Sequence, residues 1–230
     1  EALQNALTPV LKTLHQIPTQ LQQMALEREK TIRLNVLAAS TLVTQALISY
    51  KKDHDGLHFR LIQNSQCEDA DITVFTRENF QIPTDTKERY ELFKERIFLA
   101  VPHNSPYASE ESVRLQDFAH EDFISLSGSR SIRTICDRYC MQAGFVPHII
   151  YESDSPDTVK NLIASGLGVG FWPHYTWGMD SMEQIRLLPI AEPTCQRAII
   201  LQLHRHARGQ EAVCSFYAFL SRYLRQLKAA

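Results

Sequence analysis

The sequence predicts an α/β protein on a doubly wound sheet, with a separate helix at its N-terminus. Three observations carry this. Strand-like and helix-like segments alternate from Thr31 to Leu227. Residues 154–173, DSPDTVKNLIASGLGVGFWP, compress a helix, a glycine turn and a short apolar strand into twenty residues. Residues 3–24 repeat an apolar side chain every three or four positions and stop just before the first strand.

Leu3, Leu7, Val10, Leu14, Ile17, Leu21 and Met24 are spaced 4, 3, 4, 3, 4, 3, a heptad seam over three repeats. So narrow a stripe does not stabilise a lone helix in water, and it needs a partner. The partner is either the protein's own core or a second copy of the chain in a coiled coil. Position favours the second copy, as homodimer or homotetramer, because the charged run Glu27-Arg28-Glu29-Lys30 ends the seam before the first strand. Pro9 and Pro18 each remove a helical hydrogen bond but fall off the seam; alternatively Thr8-Pro9 marks the true helix start. Residues 1–30 are therefore expected to be a separate helix that serves dimerisation.

Residues 31–39 (TIRLNVLAA) have the near-continuous apolar character of a buried parallel strand. Ser40 and Thr41 are placed to cap the helix Leu42 to Lys52, which Asp53 to Gly56 ends. Strands follow at Leu57 to Ile62 and Asp71 to Phe75, with too few residues between them for a helix. Residues 90–101 form a long strand ending at Pro102. A short helix at 115–118, a strand at 123–126, the turn Ser127-Gly128-Ser129 and a helix from Arg130 to Ala143 come next. A strand at 148–152 leads into the helix that Pro156 opens at a position tolerant of proline. Gly166 and Gly168 close that helix and turn the chain into Val169-Gly170-Phe171-Trp172. Residues 196–204 are a returning strand. The last helix, about 210–227, sets Val213, Phe216, Tyr217, Leu220 and Leu224 on one face.

The 154–173 segment resembles the effector-binding domain of LysR-type transcriptional regulators, where a similar helix leads into a Gly-Leu-Gly-apolar-apolar-Pro strand. The resemblance extends in order over all 230 residues. It implies two Rossmann-like lobes of the type II periplasmic-binding-protein fold after a linker helix. The effector-binding domain then spans 31–230, with lobe I at 31–100 and 201–230 and lobe II at 101–200. One departure is plain: the family carries a helix between its second and third strands, and only Gln63 to Ala70 stand there in this chain.

Ligands of open α/β sheets bind beyond the carboxyl ends of strands, where helix N-termini offer N–H donors. Hydroxyls stand at four such junctions: Ser40 and Thr41, Thr76, Ser127 and Ser129, and Ser153 with Ser155. Each alone is equally a helix cap. Together, in both lobes, they are expected to bind a small anionic effector in the inter-lobe cleft. Arg77 and Arg130 are candidate anchors, although surface arginine is the simpler reading, and Trp172 reads as core.

Other chemistries find no support. Cys136 and Cys140 are helix neighbours and read as structural thiols. His204 and His206 share a strand face without completing a metal site. Glu88, Glu91 and Glu95, among Lys87, Arg89, Lys94 and Arg96, read as solvated charge. No nucleophile has an evident base partner, so neither an enzyme nor a cofactor or metal is expected. With Lys+Arg 24 against Asp+Glu 26 there is no electrostatic footprint for DNA, so DNA is expected to be read only by an N-terminal winged helix-turn-helix outside this chain. No apolar run is long enough for a membrane span. Five cysteines without disulfide or zinc spacing, a first residue other than Met and no signal-peptide pattern are expected of an excised cytoplasmic segment. The alternative function is a periplasmic-type solute-binding protein.

Overall fold

The computed structural model describes residues 30–63, 65–77, 81–82, 87–128, 131–178 and 183–226. The seam Leu3, Leu7, Val10, Leu14, Ile17, Leu21 and Met24 lies outside the described residues, as do Ser129 and Arg130.

Strand β1 (Thr31–Val36) lies between β2 (His58–Gln63) and β3 (Ile72–Arg77) and runs parallel to both. No helix occurs among the described residues that join β2 to β3. Eight residues, 64–71, make that return. Extended chain covers roughly 3.3 Å per residue, so they can retrace a six-residue strand without a helical crossover.

Strand β4 (Arg89–Pro102) is 14 residues long and serves two partners in turn. Residues 89–96 pair with β10 (Gln196–Leu203) and residues 97–102 with β8 (Gly170–Pro173) and β9 (Ile185–Glu192), all antiparallel. The sheet is therefore mixed, in the order β2-β1-β3-β10-β4-β9-β5, where β5 is Val113–Arg114. Two separate apolar cores result. One packs β1, β3, helix α1 (Ser40–Lys51) and helix α4 (Glu211–Gln226), and reaches Phe93 and Ile199. The other starts at Ile97 and takes in Cys195. The chain thus changes lobe between Phe93 and Ile97, and again between Cys195 and Ile199.

The second core holds β6 (Asp122–Leu126) and β7 (His148–Ser153), a parallel pair, with α2 (Ser131–Gln142) and α3 (Pro156–Ala164). Ser155 is the N-cap of α3, its hydroxyl accepting from the Thr158 N–H at 3.4 Å. Gly166 takes the left-handed φ of 80° that ends the helix. Gly168 acts differently. A Cβ there would lie 2.6 Å from the Asp122 carbonyl oxygen, and one on Gly170 would meet Ile163 Cδ1 at 2.7 Å and the Ile124 carbonyl oxygen at 2.8 Å. These glycines let the backbone before β8 press onto β6, where Val169 N–H donates to Asp122 O and Ile124 N–H to Val169 O.

Two sequence expectations are revised, and one strand is added. Helix α1 begins at Ser40 itself, and Ala39, at φ 59°, holds the N-cap position with no side-chain cap. Strand β9 is the addition: Pro189 interrupts its apolar run, and proline ordinarily argues against an interior strand. Glu95 is not solvated: it is 0% exposed, on the inward face between Phe93 and Ile97. The expected apolar face of α4 is buried in full, and Trp172 is core.

Candidate ligand-binding cleft

Between the two cores lies a cleft at the carboxyl ends of β1 and β3, the place an open α/β sheet reserves for ligands. Ser40, Thr41 and Thr76 line it from the first lobe. Ser131, Pro156, Thr176 and Trp177 line it from the second, and Arg197 lies at the floor, on the strand that joins them. The first turn of α1 opens onto this space. Its leading N–H groups have no intrahelical acceptor, and Ala39 at the N-cap gives them no side-chain cap. Ala39 adopts a left-handed conformation that costs a non-glycine residue of order 1–3 kcal/mol, and it does so at the cleft wall.

The Ser153 and Ser155 hydroxyls, expected in the second lobe, serve their own backbone. The Ser153 hydroxyl accepts from the Ser155 N–H at 3.1 Å, and the Ser155 hydroxyl caps α3. Ser127 N–H donates to the Ser153 carbonyl. In their place, Ser131 at the first turn of α2 and the Pro156 end of α3 face Ser40 and Thr41. Thr76 donates its hydroxyl to the Ala198 carbonyl at 2.8 Å, which leaves its oxygen lone pairs for the cleft. Arg77 is exposed and lies over the Phe75 ring.

Sequence reasoning missed the floor. Arg197 Nε donates to Glu95 Oε2 at 2.6 Å and its Nη2 to Thr176 Oγ1 at 2.6 Å. Glu95 Oε1 also accepts from the N–H groups of Tyr175 and Thr176 at 2.8 and 2.6 Å. One carboxylate thus holds the joining strands and the loop after β8 together. The alternation Phe93, Glu95, Ile97, Leu99 would have revealed Glu95 as inward-facing. Arg197 gave no such signal, because β10 is buried on both faces.

Elsewhere, burial raises the Cys136 thiol pKa well above its ordinary value, and pushes Cys140 and Cys195 up to about 12. His204 Nε2 is hydrogen-bonded to Thr73 Oγ1 at 2.8 Å, and His206 lies 3.4 Å from Asp71. Among the described residues no group of three His, Cys, Asp or Glu side chains is arranged to hold a metal ion, and no helix is long and apolar enough to cross a membrane.

Residues 26–225 match the family described as the LysR substrate binding domain. The chain belongs to this family. Among its relatives, the transcriptional dual regulator GltC of Bacillus subtilis (strain 168) is 24% identical over 200 residues, which is 83% of this chain and 65% of GltC. The chain therefore spans less than two thirds of that regulator's length. Two solved effector-binding domains share the fold. The effector binding domain of QuiR in complex with shikimate is 18% identical with a TM-score of 0.68, over 85% of this chain and 97% of that one. The BenM effector binding domain with its effector benzoate is 16% identical with a TM-score of 0.65, over 86% and 92%. The type II periplasmic-binding fold expected of the LysR resemblance is thus the fold of this LysR domain. Relatives of the family are transcriptional regulators, so the solute-binding alternative gains no support.

Proposed function

We propose that this chain is the effector-sensing part of a LysR-type transcriptional regulator, and that it takes a small organic acid in the cleft between its lobes. The carrying observation is that Ser40, Thr41 and Thr76 face Ser131 and Thr176 across one cleft, at the uncapped start of α1. Hydroxyls and free helix N–H groups suit a carboxylate. The acids that QuiR and BenM hold, shikimate and benzoate, are of this kind.

A ligand that touches both lobes biases their relative angle through its differential affinity for the closed arrangement. Residues 1–30 would carry that change to a partner copy, as homodimer or homotetramer, and to a winged helix-turn-helix that contacts DNA, acting in the cytoplasm. The reading is binding without chemistry, as for a regulator's sensing domain.

Small-angle scattering of the chain, with and without a stabilising organic acid, tests this. Closure lowers the radius of gyration or rearranges the oligomer. A tightly bound acid that leaves both unchanged contradicts the proposal.

A further inference from the structure

We infer that the cleft has a second compartment in which Lys160 receives an anionic group, so that the effector is an elongated acid with a polar or anionic group at each end. This rests on the cleft reading above and extends it to the class of ligand.

The second compartment lies between α1 and α3. Thr41 and Gln45 line it from the first lobe, Asp157, Lys160 and Asn161 from the second, and Trp172 and Trp177 form an aromatic wall. Thr41 and Trp177 also line the first compartment, so the two spaces adjoin.

Charge separates their roles. The guanidinium of Arg197 is matched by a buried carboxylate at 2.6 Å, so the floor of the first compartment is close to neutral. Lys160 is different. Its side chain is only 20% exposed, and its one carboxylate neighbour within 4 Å among the described residues, Asp157, is 3.6 Å away and 87% exposed. The ammonium donates to the Trp177 carbonyl at 3.1 Å and lies over the rings of Trp172 and Trp177 at 5.3 and 5.7 Å. An ammonium has three donors; that carbonyl accepts one, and Asp157 at 3.6 Å stands beyond direct hydrogen-bond distance. A half-desolvated cation held on aromatic faces, with donors to spare, is built to accept an anion.

A molecule reaching from Ser40 and Thr41 to Lys160 would touch both lobes twice, and its second charge would report its length. The tryptophan wall lets the ligand's middle be apolar.

The test titrates the purified chain with the dicarboxylate series from succinate to pimelate and with the matching monocarboxylates. Melting temperature and tryptophan fluorescence are the readouts, since both tryptophans of the chain stand beside Lys160. One diacid is expected to raise the melting temperature and change the fluorescence, with its monocarboxylate about tenfold weaker or worse. Lys160→Gln should lose a similar factor, and Lys160→Arg should regain most of it. A diacid that stabilises the wild type and Lys160→Gln equally, with silent fluorescence, overturns the second compartment and leaves the first standing. Failure of every acid to stabilise the wild type overturns both.

Discussion

Glu95 and Arg197 face each other across β4 and β10, carboxylate oxygen to Nε at 2.6 Å, with Glu95 0% and Arg197 4% exposed. They sit where the chain passes from one core to the other. The same carboxylate holds the N–H groups of Tyr175 and Thr176, which carry Trp177 into the cleft wall. The pair is thus a brace between the joining strands and the ligand site.

Breaking a buried pair from one side leaves an uncompensated charge, at a cost of about 3–5 kcal/mol. Glu95→Leu should destabilise by that order in urea unfolding. Adding Arg197→Met should recover much of the loss, because two apolar residues of similar size leave no stranded ion. Additive costs in the double variant would show that the two residues are not coupled.

Gly168→Ala and Gly170→Ala should each destabilise by about 1–3 kcal/mol, since backbone or core atoms stand within 2.8 Å of the added methyl. Gly209→Ala meets nothing within 4 Å and should stay within about 0.5 kcal/mol of the wild type. Chemical denaturation of the three variants checks this; equal effects at all three positions would refute the packing account.

Burial lowers the pKa of His174 and of His204 below the ordinary 6.5. The unfolded chain therefore binds protons more readily than the folded one in the window just beneath 6.5. Stability is full above that value and falls as pH drops through the window. His204→Gln should flatten part of this slope while also losing the Thr73 hydrogen bond. Melting temperatures at pH 7.5 and at successively lower pH measure it, and a slope of the opposite sign would rule the assignment out.

The buried thiols of Cys136, Cys140 and Cys195 should resist alkylation at pH 8 in the folded state, whereas the half-buried Cys67 and Cys214 react first. Mass spectrometry after brief iodoacetamide treatment reads the order. Early labelling of Cys136 would point to an opening of the second core.

The alternation that placed the strands and the 3.6-residue pattern that placed α4 were plain in the residues, and Trp172 and the Cys136/Cys140 pair fell where an apolar setting predicts. Three things were harder to see. Glu95 was read with its charged neighbours because Glu91, Lys94 and Arg96 surround it in sequence, although pleating turns it the other way. Arg197 lies in a run of aliphatic residues with no alternation to orient it. Ser153 and Ser155 have the composition of ligand contacts but are used by the start of α3, whereas Ser131, which was not among the expected residues, lines the cleft. Residue type marked each junction, and only the packing of two lobes decides which hydroxyl turns outward from it.

The most direct test of a shared inter-lobe site is a thermal-shift screen of small organic acids on the wild type, Ser40→Ala and Ser131→Ala, one variant from each side of the cleft. A native-state ligand raises the melting temperature as ln(1 + [L]/Kd). The account predicts a hit on the wild type that both variants weaken. A hit that neither variant weakens would place the ligand elsewhere and contradict it.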